Sequence, residues 1–349
     1  MEALVGDVSA LIWSEYAAGY GTLWSPLACR QWRNQREVYI LQQGLSQQQK
    51  NNQGSMCASL KALARDNCEY LLEWVFRRRH GRDNWKRKWA IDILITTAAK
   101  YGHRKLMYYC LLWDGTDLSR AMAAAAYGGH ERLVRECFRD RVISRAEENT
   151  DLEEDDTIEH DWPVWVLREV MTSAARGGHL SIVCLCYDEW KIQDYNTVNE
   201  AMVFAAGNGH EDLLRFCHDE LGATEVGAAV KRAAWRGHAS IVRLCCDEWG
   251  NGVSSEVMGQ AMESAASAGH MDTVRLCYEQ LHRYKDRRLL TNWANRSMLT
   301  AAENGHVEIV RMCYEEWGAT DVRSAKRRAK QGKHANVVKL CTQWMDAIQ

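Results

Sequence analysis

The stretch "AAENGHVEIVRMCYEEWGA", residues 301–319, decides the fold, because close variants of it recur along the chain. Each copy has a histidine, usually after a glycine, and a cysteine seven residues later. Successive histidines are 27 to 49 residues apart, which is typical of a repeat array rather than of one compact core. With the histidine as position 0, the copies are centred on His103, His130, His179, His210, His238, His270, His306 and His334. The cysteines at +7 are Cys110, Cys137, Cys186, Cys217, Cys245, Cys277, Cys313 and Cys341.

Two apolar stripes flank the glycine of each copy. Apolar residues at +3, +4, +7 and often +11 share one helical face, as Ile309, Val310 and Cys313 do, and residues at −8, −5 and −4 form a shorter stripe. A glycine at −1 suits a left-handed residue that ends the first helix and reverses the chain. These glycines are Gly102, Gly129, Gly178, Gly209, Gly237, Gly269 and Gly305. Each copy therefore predicts a helix–turn–helix whose apolar side only a neighbouring copy can cover, and the chain is predicted to be all-α.

The block "AAxxGHxx[IV]V" resembles the ankyrin repeat position by position over roughly residues 90–345. The resemblance implies an ankyrin-like solenoid of about eight to nine repeats. The usual "TPLH" start is absent and several copies are shorter than the usual period of about 33 residues, so helices rather than long hairpins should present the binding surface. The "VRMCYEEWGAT" variant is most similar to ankyrin-type proteins of large nucleocytoplasmic DNA viruses, which implies the cytoplasm or nucleus of a host cell.

Both ends of the array resemble caps. In "ALARDNCEYLLEWVF", Asn67 stands at the glycine position and Cys68 at the histidine position, which predicts a decayed first repeat. In "RSAKRRAKQGKHANVVK", charges replace apolar residues, as expected of a final repeat that faces solvent. The array is therefore predicted to span residues 56–349.

The N-terminal segment does not follow the repeat. "GTLWSPLACRQWRNQ", residues 21–35, resembles the closing segment of an F-box, and the upstream leucines resemble its opening helices. The resemblance implies an F-box-like head over residues 1–40 that docks on the adaptor subunit of a cullin–RING ubiquitin ligase. The implied adaptor-binding residues are Leu11, Leu23, Leu27, Cys29 and Trp32. "LV" replaces the usual "LP" and Pro26 interrupts the closing helix, and a plain helical cap is the alternative. Residues 41–55 predict a polar linker.

Charge gives no global attraction to nucleic acid or to an anionic membrane, since the net charge is −2. No segment is predicted to span a membrane. The basic run at residues 77–89 is open to three interpretations, namely a nuclear signal, a phosphate-binding patch or a solvated segment. An acidic run in the longest spacing predicts a loop inserted near residues 140–163. The interleaving of aromatic and basic residues that is typical of nucleic-acid binders is not expected here, because the tryptophans at +11 belong to the packing stripe.

The recurring histidine and cysteine could suggest zinc, disulfides, thiol catalysis or packing. Residues seven apart on a helix lie about 10 Å apart along its axis, too far for one zinc ion. Equivalent cysteines on helices packed about 8–10 Å apart are also poorly placed for disulfides. We therefore expect cysteine to be a small core residue and histidine to tie its turn to the next copy, with no metal or cofactor.

These features predict a protein-interaction scaffold that performs no chemistry itself. In one hypothesis the array captures a target and the head brings it to a ubiquitin ligase. In the other, the array masks a host signalling protein as a stoichiometric antagonist and no ligase is involved. An enzyme is a third class, for which the sequence offers no supporting constellation.

Overall fold

The computed structural model describes residues 53–67, 84–112, 118–148 and 162–347. These ranges contain α-helices, one π-helical turn and one 3-10 turn but no β-strand, which confirms the all-helical prediction. The predicted head at residues 1–40, with Leu11, Leu23, Leu27, Cys29 and Trp32, lies outside the described residues, as does most of the predicted linker.

The helices alternate along the chain as first and second members of pairs. Before the pairs comes α1 (Gln53–Arg65). The first helices are α2 (Asn84–Lys100), α4 (Leu118–Tyr127), α6 (Val164–Gly177), α8 (Tyr195–Asn208), α10 (Val226–Arg236), α12 (Ser255–Ala268), α14 (Arg287–Asn304) and α16 (Val322–Gln331). The second helices are α3 (Arg104–Leu112), α5 (Glu131–Glu148), α7 (Leu180–Cys184, continued by the π-helical turn Leu185–Glu189), α9 (Glu211–Asp219), α11 (Ala239–Glu248), α13 (Met271–His282), α15 (Val307–Glu315) and α17 (Ala335–Ala347).

The described chain divides into two compact units. One contains the described residues up to Ala98 and those of His103–Thr116. The other, the large unit, contains Ala99–Gly102 and the described part of Asp117–Gln349. The large unit holds most of the helix pairs and the repeated contacts between them.

One turn joins the two helices of each pair. At the end of α6, Gly178 has φ 79° and its N–H donates to the carbonyl of Ala175, while the N–H of His179 donates to Ala174. This is a Schellman ending, in which the last carbonyls of a helix are satisfied by a left-handed residue and its successor. The paired alanines are thus the turn's acceptors as well as core residues.

The core is formed by the two apolar stripes that the sequence predicts. The alanines at −5 and −4 are buried in nearly every pair, and so are +3, +4 and the cysteine at +7. Each first helix from α4 onward packs on the next first helix. Small residues at −5 and −4 let these backbones approach closely, so each pair covers the apolar side of its neighbour.

Second helices of the large unit meet in two kinds of junction. In the first kind, an arginine at +5 bonds to the glutamate at +10 of the next pair, and a ring at +8 stacks on the tryptophan at +11. The arginine–glutamate pairs are Arg135–Glu189, Arg215–Glu248 and Arg275–Glu316, with N···O distances of 2.6, 2.7 and 3.3 Å. The matching stacks are Phe138–Trp190, His218–Trp249 and Tyr278–Trp317, with centroids 4.4, 4.0 and 4.0 Å apart. We call these the ring junctions.

Ring junctions alternate with junctions built from smaller residues. Between the pairs of His179 and His210, the matching positions hold Cys184 at +5 and Leu221 at +11. Between the pairs of His238 and His270 they hold Cys246 at +8, Leu281 at +11 and Gln280 at +10, so no equivalent stack can form. Helices α11 and α13 pack directly on each other there. The tryptophans at +11 therefore pack in the junctions between pairs, where Trp190 is buried and Trp249 and Trp317 are half-buried, in agreement with their assignment to the packing stripe.

The insertion differs from the prediction at its start. α5 continues to Glu148, so the first part of the region predicted as a loop, near residues 140–163, is helical. The segment "DRVISRAEE" contains arginine, alanine and glutamate, which favour helix, and this local preference agrees with the extension of α5 to Glu148. The later part of the basic run at residues 77–89 lies in α2.

Candidate functional site

Each repeat histidine reaches back to the turn before it. The Nε2 of His130 lies 3.0 Å from the carbonyl oxygen of Lys100, and the Nε2 of His179 lies 3.0 Å from that of Tyr127. His210 and His306 make the same bond to Arg176 and Ser267. Because a carbonyl can only accept, Nε2 carries the hydrogen and donates it. We predicted that the histidine ties its turn to the next copy, and this direction was wrong, since the acceptor belongs to the preceding copy.

The same ring leaves no room for a side chain on the preceding glycine. A Cβ built on Gly102 would lie 2.6 Å from Cε1 of His130, and one built on Gly237 would lie 2.6 Å from Nδ1 of His270. These glycines also have φ values of 72° and 80°, which L side chains rarely adopt. Glycine is thus required twice, once for its backbone conformation and once for the ring that packs on it.

Two of the histidine rings, those of His179 and His238, are biased toward their neutral form. Partial burial lowers the pKa of His179 and of His238, and the neighbouring histidines lower it further, against the opposing effect of the carbonyl bond. A ring that donates one hydrogen to a carbonyl and lies half-buried at a turn is suited to fastening two turns together.

The +7 cysteines are core residues throughout the described pairs. All eight are fully buried, and they are thiols rather than disulfides. Burial raises the pKa of Cys110, Cys217, Cys245 and Cys313 to about 12. Because the thiolate is the nucleophile and the metal ligand, thiols with such pKa values are suited to packing and not to covalent chemistry.

The histidines and cysteines are not brought into one cluster. The rings lie at the turns, and the thiols lie inside the second-helix packing. Within the described ranges, no group of three or more His, Cys, Asp or Glu residues could hold a metal ion. The repeat positions predicted from the sequence therefore form the framework, and the exposed surface has to be sought elsewhere.

A row of cations and aromatic rings lies on the first helices of the large unit, at positions −2, −3 and −6. Lys100 Nζ lies 4.4 Å from the ring centroid of Tyr127, and Arg176 Cζ lies 3.9 Å from that of Phe204. Trp235 has two cations near its ring, at 4.9 and 5.2 Å. We name this row the cation–ring stripe, and it consists of Lys100, Tyr127, Arg176, Phe204, Arg232, Trp235 and Arg236.

The stripe is open to solvent and is not neutralised. Tyr127 is 39% exposed and Trp235 is 43% exposed. Among the described residues, no carboxylate forms an ion pair with the stripe's lysine or arginines, whereas the same face carries inter-helix ion pairs farther along the chain. These are Glu263–Arg296 at 2.8 Å and Glu303–Arg328 at 3.0 Å. The face therefore changes from cationic and aromatic to charge-paired after α10.

This stripe was not predicted from the sequence, for which we expected no interleaving of aromatic and basic residues. Its members change residue type from one copy to the next, so they do not stand out in the repeat as the invariant positions do. A usable signal is nonetheless present, because the −3 positions of the first five copies read Lys, Tyr, Arg, Gly and Trp, without a carboxylate.

The function of this chain has to be argued from its fold and its surface. No family model matches this chain, and no curated protein matches it. None of the helices in the described ranges is both long enough and apolar enough to cross a bilayer.

Proposed function

We propose that the chain is a protein-interaction scaffold built from ankyrin-like repeats, and that the first helices hold its partner. The observation that carries this proposal is the exposure of large aromatic side chains on a helical framework. Trp165, Tyr195 and Trp235 are 61, 57 and 43% exposed. Aromatic side chains and arginine are enriched in protein interfaces, where a few such anchors supply most of the binding energy.

The framework supports the same proposal. The alanine pair, the Schellman ending and the second helix of each pair agree with an ankyrin-type repeat. The invariant positions hold neighbouring pairs together, and the variable first-helix positions are left for a partner. Specificity in repeat proteins is carried by such variable positions on a fixed scaffold.

We further propose that the head over residues 1–40 is F-box-like and that it delivers the bound partner to a cullin–RING ligase through the adaptor subunit. The support is the resemblance at Leu27, Cys29 and Trp32 in "LACRQW". The array would then select the substrate, and the head would connect it to the ligase, in the cytoplasm or nucleus of a host cell.

Two variants of the full chain separate these roles. Leu27→Ala with Trp32→Ala should abolish co-purification of the adaptor and cullin from cells while the captured partner is retained. Tyr127→Ala with Trp235→Ala should do the reverse, because these rings are exposed on the array. Circular dichroism and thermal unfolding check that both variants fold.

The outcomes distinguish the alternatives. If the unaltered chain recovers a partner but never the adaptor, the ligase role is wrong and the stoichiometric antagonist takes its place. If the head variant unfolds the helices, the head is a cap. If neither exposed ring affects recovery of any partner, the scaffold proposal itself is wrong.

A further inference from the structure

The side chains of the cation–ring stripe indicate which kind of partner the array binds. This inference rests on the proposed function of the array as a scaffold. Arg176 is exposed and its guanidinium lies against the ring of Phe204. Arg232 and Arg236 are exposed on either side of Trp235. A guanidinium that lies near a ring face still has N–H donors available for a ligand, because the ring face is not a conventional hydrogen-bond acceptor.

We infer that the stripe binds an extended acidic segment of a partner protein, with carboxylates about six residues apart. The cations at the stripe have no carboxylate partner among the described residues, although Arg328 on α16, at the same −6 position as Arg232, pairs with Glu303. An acidic segment supplies the missing partners, and arginine forms its strongest pairs with carboxylates.

Spacing favours an extended segment. Neighbouring packed helices are about 8–10 Å apart, and the stripe advances by one first helix at a time from α4 to α10, with Lys100 against Tyr127 at its start. An extended chain rises about 3.3 Å per residue, so every third side chain advances about 10 Å. The cations lie on alternate first helices, with Arg176 on α6 and Arg232 and Arg236 on α10. Carboxylates about six residues apart can therefore meet them in turn, while apolar residues between them lie on Tyr127, Phe204 and Trp235.

The residues beside the stripe favour an acidic peptide over a nucleic acid as its ligand. Glu169 on α6 and Glu200 on α8 are exposed at position −10 of the same first helices. A continuous row of phosphates would approach these carboxylates and be repelled, whereas a narrow peptide can follow the cations alone. The net charge of −2 supplies no wider positive field.

The test uses the full chain and random peptides of about twelve residues displayed on phage, a length that spans roughly 40 Å when extended. Selected peptides are synthesised with a fluorophore, and each is paired with a counterpart in which Asp and Glu become Asn and Gln. The array variant is Arg176→Gln with Arg232→Gln and Arg236→Gln. Its matched control is Arg296→Gln with Arg328→Gln, which removes two arginines that already have carboxylate partners.

We expect the selected peptides to be rich in Asp and Glu, and the amide counterparts to bind about tenfold more weakly or worse. The triple variant should weaken binding by a similar factor, and the control by less than about twofold, with binding falling as salt rises.

If the selected peptides require Tyr127 and Trp235 but carry no excess of acidic residues, the acidic inference is overturned and the scaffold proposal stands. If no peptide depends on those rings, both are overturned. Tighter binding of an oligothymidine of about twenty nucleotides than of the acidic peptides, lost in the triple variant, overturns the inference in favour of single-stranded nucleic acid.

Discussion

A glycine from one turn and a histidine from the next form the smallest unit of this fold. The glycine's left-handed φ ends the first helix, and its bare Cα accepts the following ring. The ring then donates to the carbonyl two residues before that glycine, as His179 does to Tyr127. The pair explains why both residue types recur together.

Alanine at Gly237 should be much worse than alanine at Gly222. Both have positive φ, but a Cβ on Gly222 meets nothing within 4 Å, whereas one on Gly237 meets His270. We expect Gly222→Ala to cost about 1–2 kcal/mol for the left-handed conformation and Gly237→Ala about 2–4 kcal/mol, because overpacking is added. Urea unfolding measures both. His270→Ala should recover part of the loss at Gly237, and equal losses at the two glycines would show that the ring exerts no constraint.

Stability should fall as pH drops below the ordinary histidine range. The folded-state pKa values of His179 and His238 lie below the unfolded value, so the unfolded chain binds more protons. Their contribution is complete above the unfolded pKa of about 6.5 and is lost as pH falls from there toward the folded values. Free energies of unfolding between about pH 7.5 and 5.5 test this. His179→Gln with His238→Gln keeps an amide donor and should flatten the slope. A steeper slope in that variant would contradict the assignment.

Residue-scale prediction succeeded where one helix sets the requirement. Gly178 and Cys186 were predictable, because a helix ending and an apolar stripe are local patterns. The contact between Gly178 and the ring of His210 was not, since it depends on how one turn lies against the next. The direction of the histidine bond was therefore predicted incorrectly.

At the scale of the helices, the junctions between second helices alternate with a period of two repeats. Ring junctions occur between the pairs of His130 and His179, of His210 and His238, and of His270 and His306. The two junctions between them lack both the stack and the arginine–glutamate pair. The last junction, between the pairs of His306 and His334, keeps a stack alone, with Tyr314 and Trp344 at 4.2 Å.

One substitution should complete an ion pair at a small-residue junction. Arg243 stands at +5, but the +10 residue of the next pair is Gln280 where ring junctions have glutamate. Gln280→Glu should stabilise the protein by about 0.2–1 kcal/mol, the usual range for an exposed pair. Chemical denaturation gives the free energy. The gain should disappear with Arg243→Ala and at high salt, and a gain that persists in that background would have another origin.

The alternation was hidden in the sequence for a physical reason. The +8 position reads Phe138, Tyr187, His218, Cys246 and Tyr278, which differ in charge and size. The residue at +11 of the next copy separates the two kinds of junction, because it is tryptophan opposite Phe138, His218 and Tyr278 but leucine opposite Tyr187 and Cys246. Phenylalanine, histidine and tyrosine rings can all stack on tryptophan. Comparison of the copies therefore shows only that the +8 residue varies, whereas the structure shows which +8 ring stacks on which +11 tryptophan.

At the scale of the whole molecule, the +7 thiols mark the packed interior of the helix pairs. They are buried in every described pair, whereas Cys57, Cys184 and Cys246 are only partly buried. Because the +7 thiols are deeply buried, their reactivity reports opening of the helices and not local chemistry.

Thiol labelling and chelation together test the packing role. In native buffer, a thiol reagent should modify the +7 cysteines only as fast as the helices unfold, and the partly buried thiols sooner. Mass spectrometry of digested samples assigns each site. A chelator should leave the melting temperature unchanged. A large fall that zinc reverses would show that these residues bind metal.

The backward direction of the histidine bond bears on how the chain is made. A ribosome releases the protein from its N-terminus, so the carbonyl of Lys100 is available before His130 emerges, and that of Ser267 before His306. The carbonyl acceptor of each of these histidines is therefore synthesised before the histidine itself. Shortening the chain from its C-terminus leaves the carbonyl acceptors of His130, His179 and His210 in place, whereas removing residues from the start deprives the first surviving ring of its acceptor. Loss of C-terminal pairs should therefore keep these bonds, whereas loss of N-terminal pairs should break one of them.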